Sequence, residues 1–146
     1  MIKLYTIGFT KKNAEYFFGL LKSNKVKNIV DTRIKTNSQL SGFAKADDLA
    51  YFAKEIAQIS YEHQLDFAPT KELLSKYRKG TLTWQAYEDE YLNLLDMRKV
   101  KSKVEIEKLH EHCLLCSEHT VEKCHRRLLA EYLQEVNTDL EIIHLK

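Results

Sequence analysis

Five short apolar segments, separated by longer segments of helical periodicity, organise this chain. Each is rich in β-branched or aromatic residues, or is an apolar run bounded by polar residues, as buried strands are. Gly8 ends the first segment. The predicted strands are residues 3–7, 27–32, 59–65, 113–116 and 140–145.

Apolar residues recur at helical spacing between these strands. Thr10 is a suitable cap for a first helix, in which Tyr16, Phe17, Leu20 and Leu21 recur at helical spacing. A second helical stripe consists of Leu49, Phe52, Ala53 and Ile56. The polar stretch 33–45 has no periodicity and predicts a loop. The remaining predicted helices are residues 71–79, 84–97, 104–110 and 121–136.

Strands that alternate with helices pair in parallel through right-handed crossovers. We therefore predict an α/β fold: a mostly parallel sheet of about five strands with helices on both faces, a Rossmann-like three-layer arrangement. The length of 146 residues favours a single domain, 1–146.

Composition excludes several classes of protein. Apolar and charged fractions of 44% and 30% are ordinary for a globular protein, and a net charge of +2 is too small for a nucleic-acid footprint. No apolar run approaches the ~20 residues of a membrane span. Three cysteines, without a recognisable leader, predict reduced thiols, no disulfide and a cytoplasmic location. Oligomeric state is not indicated.

Ligands of parallel sheets bind beyond the carboxyl ends of the strands. Two segments there carry reactive side chains: Asp31-Thr32-Arg33, with Ser38 beyond it, and the run from Cys116 to Arg127. We expect both to open onto one cleft, with Gly8 at the end of the first strand. Asp31 and Arg33 either position a substrate or pair with each other.

The run 116–127 predicts a strand end, a turn and a helix start, a natural seat for an anion. With Val121 at the start of the helix, His125 falls on the apolar face, Arg126 at its edge over the cleft, and Arg127 outward. A thiolate at Cys116 would be favoured by Arg126 and the helix terminus.

Each of these residues also has a structural interpretation. Cys116 and Cys124 are equally explained as small core residues, His125 as a hydrogen-bonded core histidine, and Glu118 as a first-turn acid. The weaker site candidates are Ser38, Tyr77, Arg78 and Trp84. Trp84, Tyr87 and Tyr91 share helical spacing, which for aromatic residues more often indicates core, although they could also form the wall of a cleft.

A zinc site is disfavoured, since Cys113 and Cys116, three apart on one strand, point to opposite faces. No metal is therefore predicted, and the sequence does not show whether a cofactor is used. Neither common glycine-rich phosphate loop is present.

The motifs Cys116-x-Glu118 and Cys124-His125-Arg126, followed by Leu128-Leu129, resemble the domain of unknown function family 488. Tyr5-Thr6-Ile7-Gly8, Val30-Asp31-Thr32-Arg33, Tyr61-x-His63 and the aromatic set Trp84, Tyr87 and Tyr91 extend the resemblance nearly end to end. It implies an α/β fold with a pocket at the strand ends and no settled activity. The chain departs from the family pattern at Phe9, where histidine is common, and at Thr36 and Val121, where proline is common.

Two hypotheses of function follow. In the first, the chain is an enzyme acting on a small anionic substrate, a nucleotide or phosphorylated metabolite. Asp31, Cys116 and His125 are then the catalytic candidates. The substrate-binding candidates are Gly8, Arg33, Ser38, Glu118 and Arg126. In the second, the chain is a non-catalytic module for a nucleotide or, less favoured by the charge, for nucleic acid.

Overall fold

The computed structural model describes every residue of the chain except His119. Five strands lie within two residues of the predicted segments at each end. They are β1 (Ile2–Gly8), β2 (Asn28–Asp31), β3 (Ser60–His63), β4 (His112–Cys116) and β5 (Leu140–His144).

All neighbouring strands pair in parallel, in the order β3-β2-β4-β1-β5. Strand β4 therefore lies between β1 and β2, with Cys116 in register with Gly8 and Leu115 with Asp31. The carboxyl ends of these three strands meet at one edge, which confirms the predicted placement of Arg33 and Cys116 on the same side.

Helices cover both faces of the sheet. One core contains apolar residues of α1 (Ala14–Ser23) and α2 (Ala46–Ala57). The other contains those of α3 (Lys71–Arg78), α4 (Trp84–Met97), α5 (Val100–Lys103) and α6 (His125–Val136). The three-layer α/β prediction is confirmed. No helix in the described part of the chain is long and apolar enough to cross a membrane.

Three details of the helix prediction were wrong. Asn13, not Thr10, caps α1 by accepting a hydrogen bond from the Tyr16 amide at 2.8 Å. The stretch 104–110 is not an α-helix; a short 3₁₀ turn occupies Ile106–Leu109 after α5. The predicted loop 33–45 contains a second 3₁₀ segment, Gln39–Ala44, capped by Ser38. Short segments of this kind lack the repeat that makes periodicity readable.

The largest correction concerns the start of α6. The helix begins at His125, because Cys124 has extended backbone angles (φ −137°, ψ 136°), and Val121 lies outside it. Ser117 and Glu118 instead lie near the end of β1: the Thr10 amide donates to the Ser117 carbonyl at 3.1 Å, and the Glu118 carbonyl lies against Gly8. The helix thus starts four residues later than its apolar pattern indicates.

Candidate functional site

A cavity of about 630 Å³ lies at the carboxyl ends of β2 and β4. Its lining is strongly basic, with Glu118 the one carboxylate in the described part of the chain that lines it. The lining cations are Arg33, Lys35, Lys71, Arg78, Lys79 and Lys123. Such a concentration of one charge in a concave site attracts anions.

Aromatic side chains form one wall of this cavity. Trp84 stacks on Tyr87 with centroids 5.1 Å apart, and Tyr77 packs against both. These residues line the cavity as well as packing on the core. Phe9 lines it too, with the Arg33 guanidinium carbon 5.2 Å from its ring centroid. Phe9, where a histidine is common in the family, thus supports a cation of the site.

The structure separates the predicted site residues into two groups. Arg33, Ser38, Cys116, Glu118 and His125 line the cavity. Asp31, Arg126 and Gly8 are not among its lining residues and instead contact residues that line it.

Asp31 and Arg33 form a buried ion pair. Arg33 donates from Nε at 2.8 Å and from Nη2 at 2.6 Å to the two Asp31 oxygens, and the Tyr61 hydroxyl donates to Asp31 Oδ2 at 2.6 Å. Asp31 is fully buried and Arg33 is 7% exposed. Of the two interpretations left open by the sequence, the structure shows pairing, and Asp31 positions Arg33 at the cavity.

His125 is buried at the strand ends, as predicted. Its Nε2 lies 2.9 Å from both the carbonyl oxygen and the hydroxyl of Thr32. Because the Thr32 hydroxyl donates its proton to the Leu115 carbonyl at 2.8 Å, Nε2 must be the protonated nitrogen. Burial lowers the pKa of His125 from 6.5 to about 4. The ring is therefore neutral at pH 7, with Nδ1 as an acceptor, and is a poor proton donor there.

The depressed pKa of His125 predicts a pH-dependent stability. The unfolded chain takes up a proton near pH 6.5 and the folded one near pH 4, so the stabilisation is complete above 6.5 and lost as pH falls through this window. We expect a loss of up to about 3 kcal/mol in unfolding free energy between these limits. Urea titrations at several pH values measure it. A His125→Gln variant should lose this slope and the half-exposed control His110→Gln should retain it; equal slopes in both would contradict the assignment.

Arg126 is fully buried, which corrects the prediction that it reaches over the cleft. Its Nη1 donates to Cys116 Sγ at 2.9 Å, to Cys124 Sγ at 3.3 Å and to the Glu118 carbonyl at 2.7 Å. Because α6 starts at His125 rather than at Val121, the Arg126 side chain lies beneath the residues that line the cavity. Burial lowers the pKa of Arg126 to about 10, so it stays charged at neutral pH.

Arg127 is less free than predicted. Its side chain is 22% exposed and donates to the Val121 and Glu122 carbonyls, besides pairing with Glu131 and Glu88. Through these hydrogen bonds Arg127 links the start of α6 to the residues before it, and it does not line the cavity.

The Sγ atoms of Cys116 and Cys124 lie next to each other. The wide separation of their Cα atoms does not fit a formed disulfide, so the absence of a disulfide stays a prediction. Both cysteines line the cavity and both accept from Arg126. Their Cα atoms are 7.8 Å apart, wider than the roughly 4.4–6.8 Å usual for disulfides. Cys113 is free and buried in the core on the α1 side, where burial raises its pKa.

Buried nitrogen atoms of cationic side chains lie at this edge of the sheet without a hydrogen-bond partner. In the described part of the chain, the buried side-chain nitrogens and oxygens that lack one are Lys12 Nζ, Arg33 Nη1 and Arg126 Nη2. Burial, and then the charge of Arg126, lower the pKa of Lys12. The charge of Arg33 is compensated by Asp31, whereas no carboxylate pairs with Lys12 or Arg126 among the described residues. Buried charge without a counterion is costly, so the arrangement favours a negative group beside Lys12 and Arg126. Sequence reasoning missed Lys12, because a lysine carries no signal that it will be buried.

Gly8 allows the residues after β4 to approach the end of β1. A Cβ at this position would overlap the Glu118 carbonyl, whose oxygen accepts from Arg126, and would lie 3.1 Å from Arg126 Nη1. Gly8 is therefore needed for close backbone contact and does not line the cavity, and its role in substrate binding stays a prediction.

We expect Gly8→Ala to lower the unfolding free energy by about 1–3 kcal/mol, the usual range for overpacking. Gly19→Ala is the matched control, since a Cβ there meets nothing within 4 Å in helix α1. It should raise stability by about 0.5–1 kcal/mol, as in other helix interiors. Urea denaturation of both variants tests this, and a neutral Gly8→Ala would show that the Glu118 carbonyl does not lie against Gly8.

The fold and its strand-end cavity place the chain among three-layer α/β proteins with a basic pocket at the sheet edge. The model of the family described as Domain of unknown function DUF488 matches residues 13–133, and the chain belongs to that family. The Cys116-x-Glu118 and Cys124-His125-Arg126 motifs both fall inside the match. Comparisons with curated proteins and with solved structures gave no match.

Proposed function

We propose that this protein is an enzyme acting on a small anionic substrate, a nucleotide or other phosphorylated compound, in the strand-end cavity. The observation that carries the proposal is the charge of the lining: six cations face one carboxylate, above the buried charge of Arg126. An anionic group that enters this space meets cations on several sides.

The remaining lining fits a substrate with an aromatic part. Tyr77 and Trp84 are half-buried and present ring surface to the cavity, on which a base can stack. Arg33 and Lys123 contact the anion in this arrangement, Cys116 is the nucleophile in its thiolate form, and neutral His125 accepts a hydrogen bond at Nδ1.

Trp84 is the sole tryptophan, so its fluorescence reports on the cavity directly. We expect adenosine diphosphate to change this fluorescence at lower concentration than adenosine, and added salt to weaken the binding. Pyrophosphate, which competes for the cations alone, should displace the nucleotide. If adenosine binds as tightly as its diphosphate, the cations do not select the ligand and the proposal is wrong.

Matched lysine variants sharpen this experiment. Lys123→Gln removes an exposed cation from the cavity lining, whereas Lys22→Gln removes an exposed cation in the last turn of α1. The first should weaken binding of the diphosphate and the second should not.

The alternative is a non-catalytic module that binds a nucleotide or nucleic acid with the same side chains. The near-complete burial of Cys116 favours it, because a thiol with so little accessible surface is a poor nucleophile. A gel shift of single-stranded nucleic acid at two salt concentrations tests the nucleic-acid form, which requires a steep salt dependence. The single-domain organisation and the cytoplasmic location belong to the proposal as well, the latter on the odd number of cysteines.

A further inference from the structure

We propose that Cys116 and Cys124 are a redox-active dithiol that exchanges with the disulfides of small anionic thiols held in the basic cavity. This activity shares the cavity with the proposed function but does not depend on a nucleotide substrate. Three features carry it: the meeting of the two sulfurs, their shared contact with Arg126, and their position in the cavity lining.

The fold brings the two sulfurs together from different elements. Cys116 is the last residue of β4 and Cys124 is the residue before α6, eight positions later. Both side chains are almost fully buried by the protein, yet both line the cavity. A small molecule in the cavity therefore lies next to the two sulfurs, and contact with either one requires a small movement of the lining.

The environment of the pair favours a thiolate. Arg126 Nη1 lies within hydrogen-bond distance of both sulfurs, and no carboxylate accepts from its guanidinium among the described residues. Its Nη2 is buried and has no partner in the part of the chain that the structure describes. A thiolate beside this cation offsets the cost of its burial, and the thiolate is the form that attacks disulfides.

The closer contact distinguishes the two cysteines. Arg126 Nη1 is 2.9 Å from Cys116 Sγ and 3.3 Å from Cys124 Sγ. Cys116 is accordingly the attacking thiolate and Cys124 the resolving thiol. The wide separation of their Cα atoms, 7.8 Å, indicates that the backbone adjusts between the dithiol and the disulfide and argues against a permanent structural link.

The reaction balances in two exchanges. The Cys116 thiolate attacks one sulfur of the substrate disulfide, which forms a mixed disulfide and releases one thiolate. Cys124 gives up its proton and attacks Cys116 Sγ, which closes the Cys116–Cys124 disulfide and releases the second thiolate, protonated by solvent. The protein dithiol is oxidised by two electrons and the substrate disulfide is reduced to two thiols. The cavity's cations select substrates with carboxylates near the sulfur.

The test uses the full chain, reduced and desalted, with glutathione disulfide as the anionic probe and 2-hydroxyethyl disulfide as the neutral one. After an acid quench, free thiols are alkylated and counted by intact mass. We expect wild type to lose two of its three thiols without a stable adduct. Cys124→Ser should accumulate one glutathione on Cys116, and Cys116→Ser should form no intramolecular disulfide. Cys113→Ser, which removes the buried core thiol, should behave as wild type.

Charge selection is read from the ratio of rates for the two probes. Wild type should react at least about tenfold faster with glutathione disulfide than with the neutral probe, after correction for their rates with a free thiol. Lys123→Gln should reduce this ratio and Lys22→Gln should leave it unchanged. Retention of all three thiols, or a glutathione adduct on Cys124 in place of Cys116, would overturn the proposal, as would equal corrected rates. The fluorescence titration of Trp84 tests nucleotide binding, and the thiol count tests disulfide exchange. Either experiment can fail without the other, so the two proposals are distinguished.

Discussion

Asp31→Asn is expected to lower the unfolding free energy by about 3–5 kcal/mol, the cost of breaking a buried ion pair from one side. The Asp31 carboxylate accepts hydrogen bonds from Arg33 and from Tyr61, and it compensates the charge of Arg33 in the interior. An amide keeps the shape but loses the charge and faces the guanidinium with a donor. Urea denaturation monitored by circular dichroism measures the change.

Two further variants serve as comparisons for the stability of Asp31→Asn. Asp66→Asn alters an exposed carboxylate and should change stability by less than about 0.5 kcal/mol. Tyr61→Phe removes one donor and leaves the ion pair, so its effect should be intermediate. If Asp31→Asn costs no more than Asp66→Asn, Arg33 is not held by this carboxylate, and the description of the cavity edge fails with it.

Arg126→Ala is expected to have an effect of similar size on stability, about 2–5 kcal/mol, as for other large buried side chains. Arg126 is the largest fully buried side chain among the described residues, so its truncation leaves a cavity. The change also removes the donor to the Glu118 carbonyl. Removal of a buried charge offsets part of this cost. Arg126→Met fills more of the space without the charge, so it should be more stable than Arg126→Ala.

The reactivity of Cys116 distinguishes the effect of the Arg126 charge from the effect of its packing. Both Arg126 variants should lose the enhanced reactivity that we propose for Cys116, because neither supplies a cation to its sulfur. Arg127→Ala, next in the chain, should retain it and should cost about 1 kcal/mol in stability through its lost hydrogen bonds. An Arg126→Met variant with wild-type Cys116 reactivity would show that the guanidinium does not activate the thiol.

Strands and layers were readable from the sequence because their signal is local. Apolar runs such as Leu114–Leu115 have no polar face, which is typical of strands covered on both sides. Parallel pairing then follows from the alternation with helices, and the meeting of Arg33 and Cys116 follows from parallel pairing. The carboxyl-edge rule thus located the cavity without any knowledge of the strand order.

The interior of the site was not readable in this way. The apolar periodicity includes Val121, but α6 begins only at His125, and the Glu118 carbonyl lies against Gly8. That shift of one helical turn places Arg126 under the cavity and brings Cys124 to Cys116. Burial of Lys12 and Arg126 depends on partners distant in sequence, and no residue pattern records it.

The rate of alkylation of Cys116 by iodoacetamide in the reduced protein tests the central claim most directly. Peptide mapping follows Cys116 and the buried Cys113 in the same sample, with and without adenosine diphosphate. The account predicts that Cys116 reacts faster at neutral pH than an unperturbed thiol, that the nucleotide slows it, and that Cys113 stays unlabelled in both cases. A Cys116 rate no greater than that of a free thiol, and unchanged by the nucleotide, would contradict an anion-binding cavity with an activated cysteine at its floor.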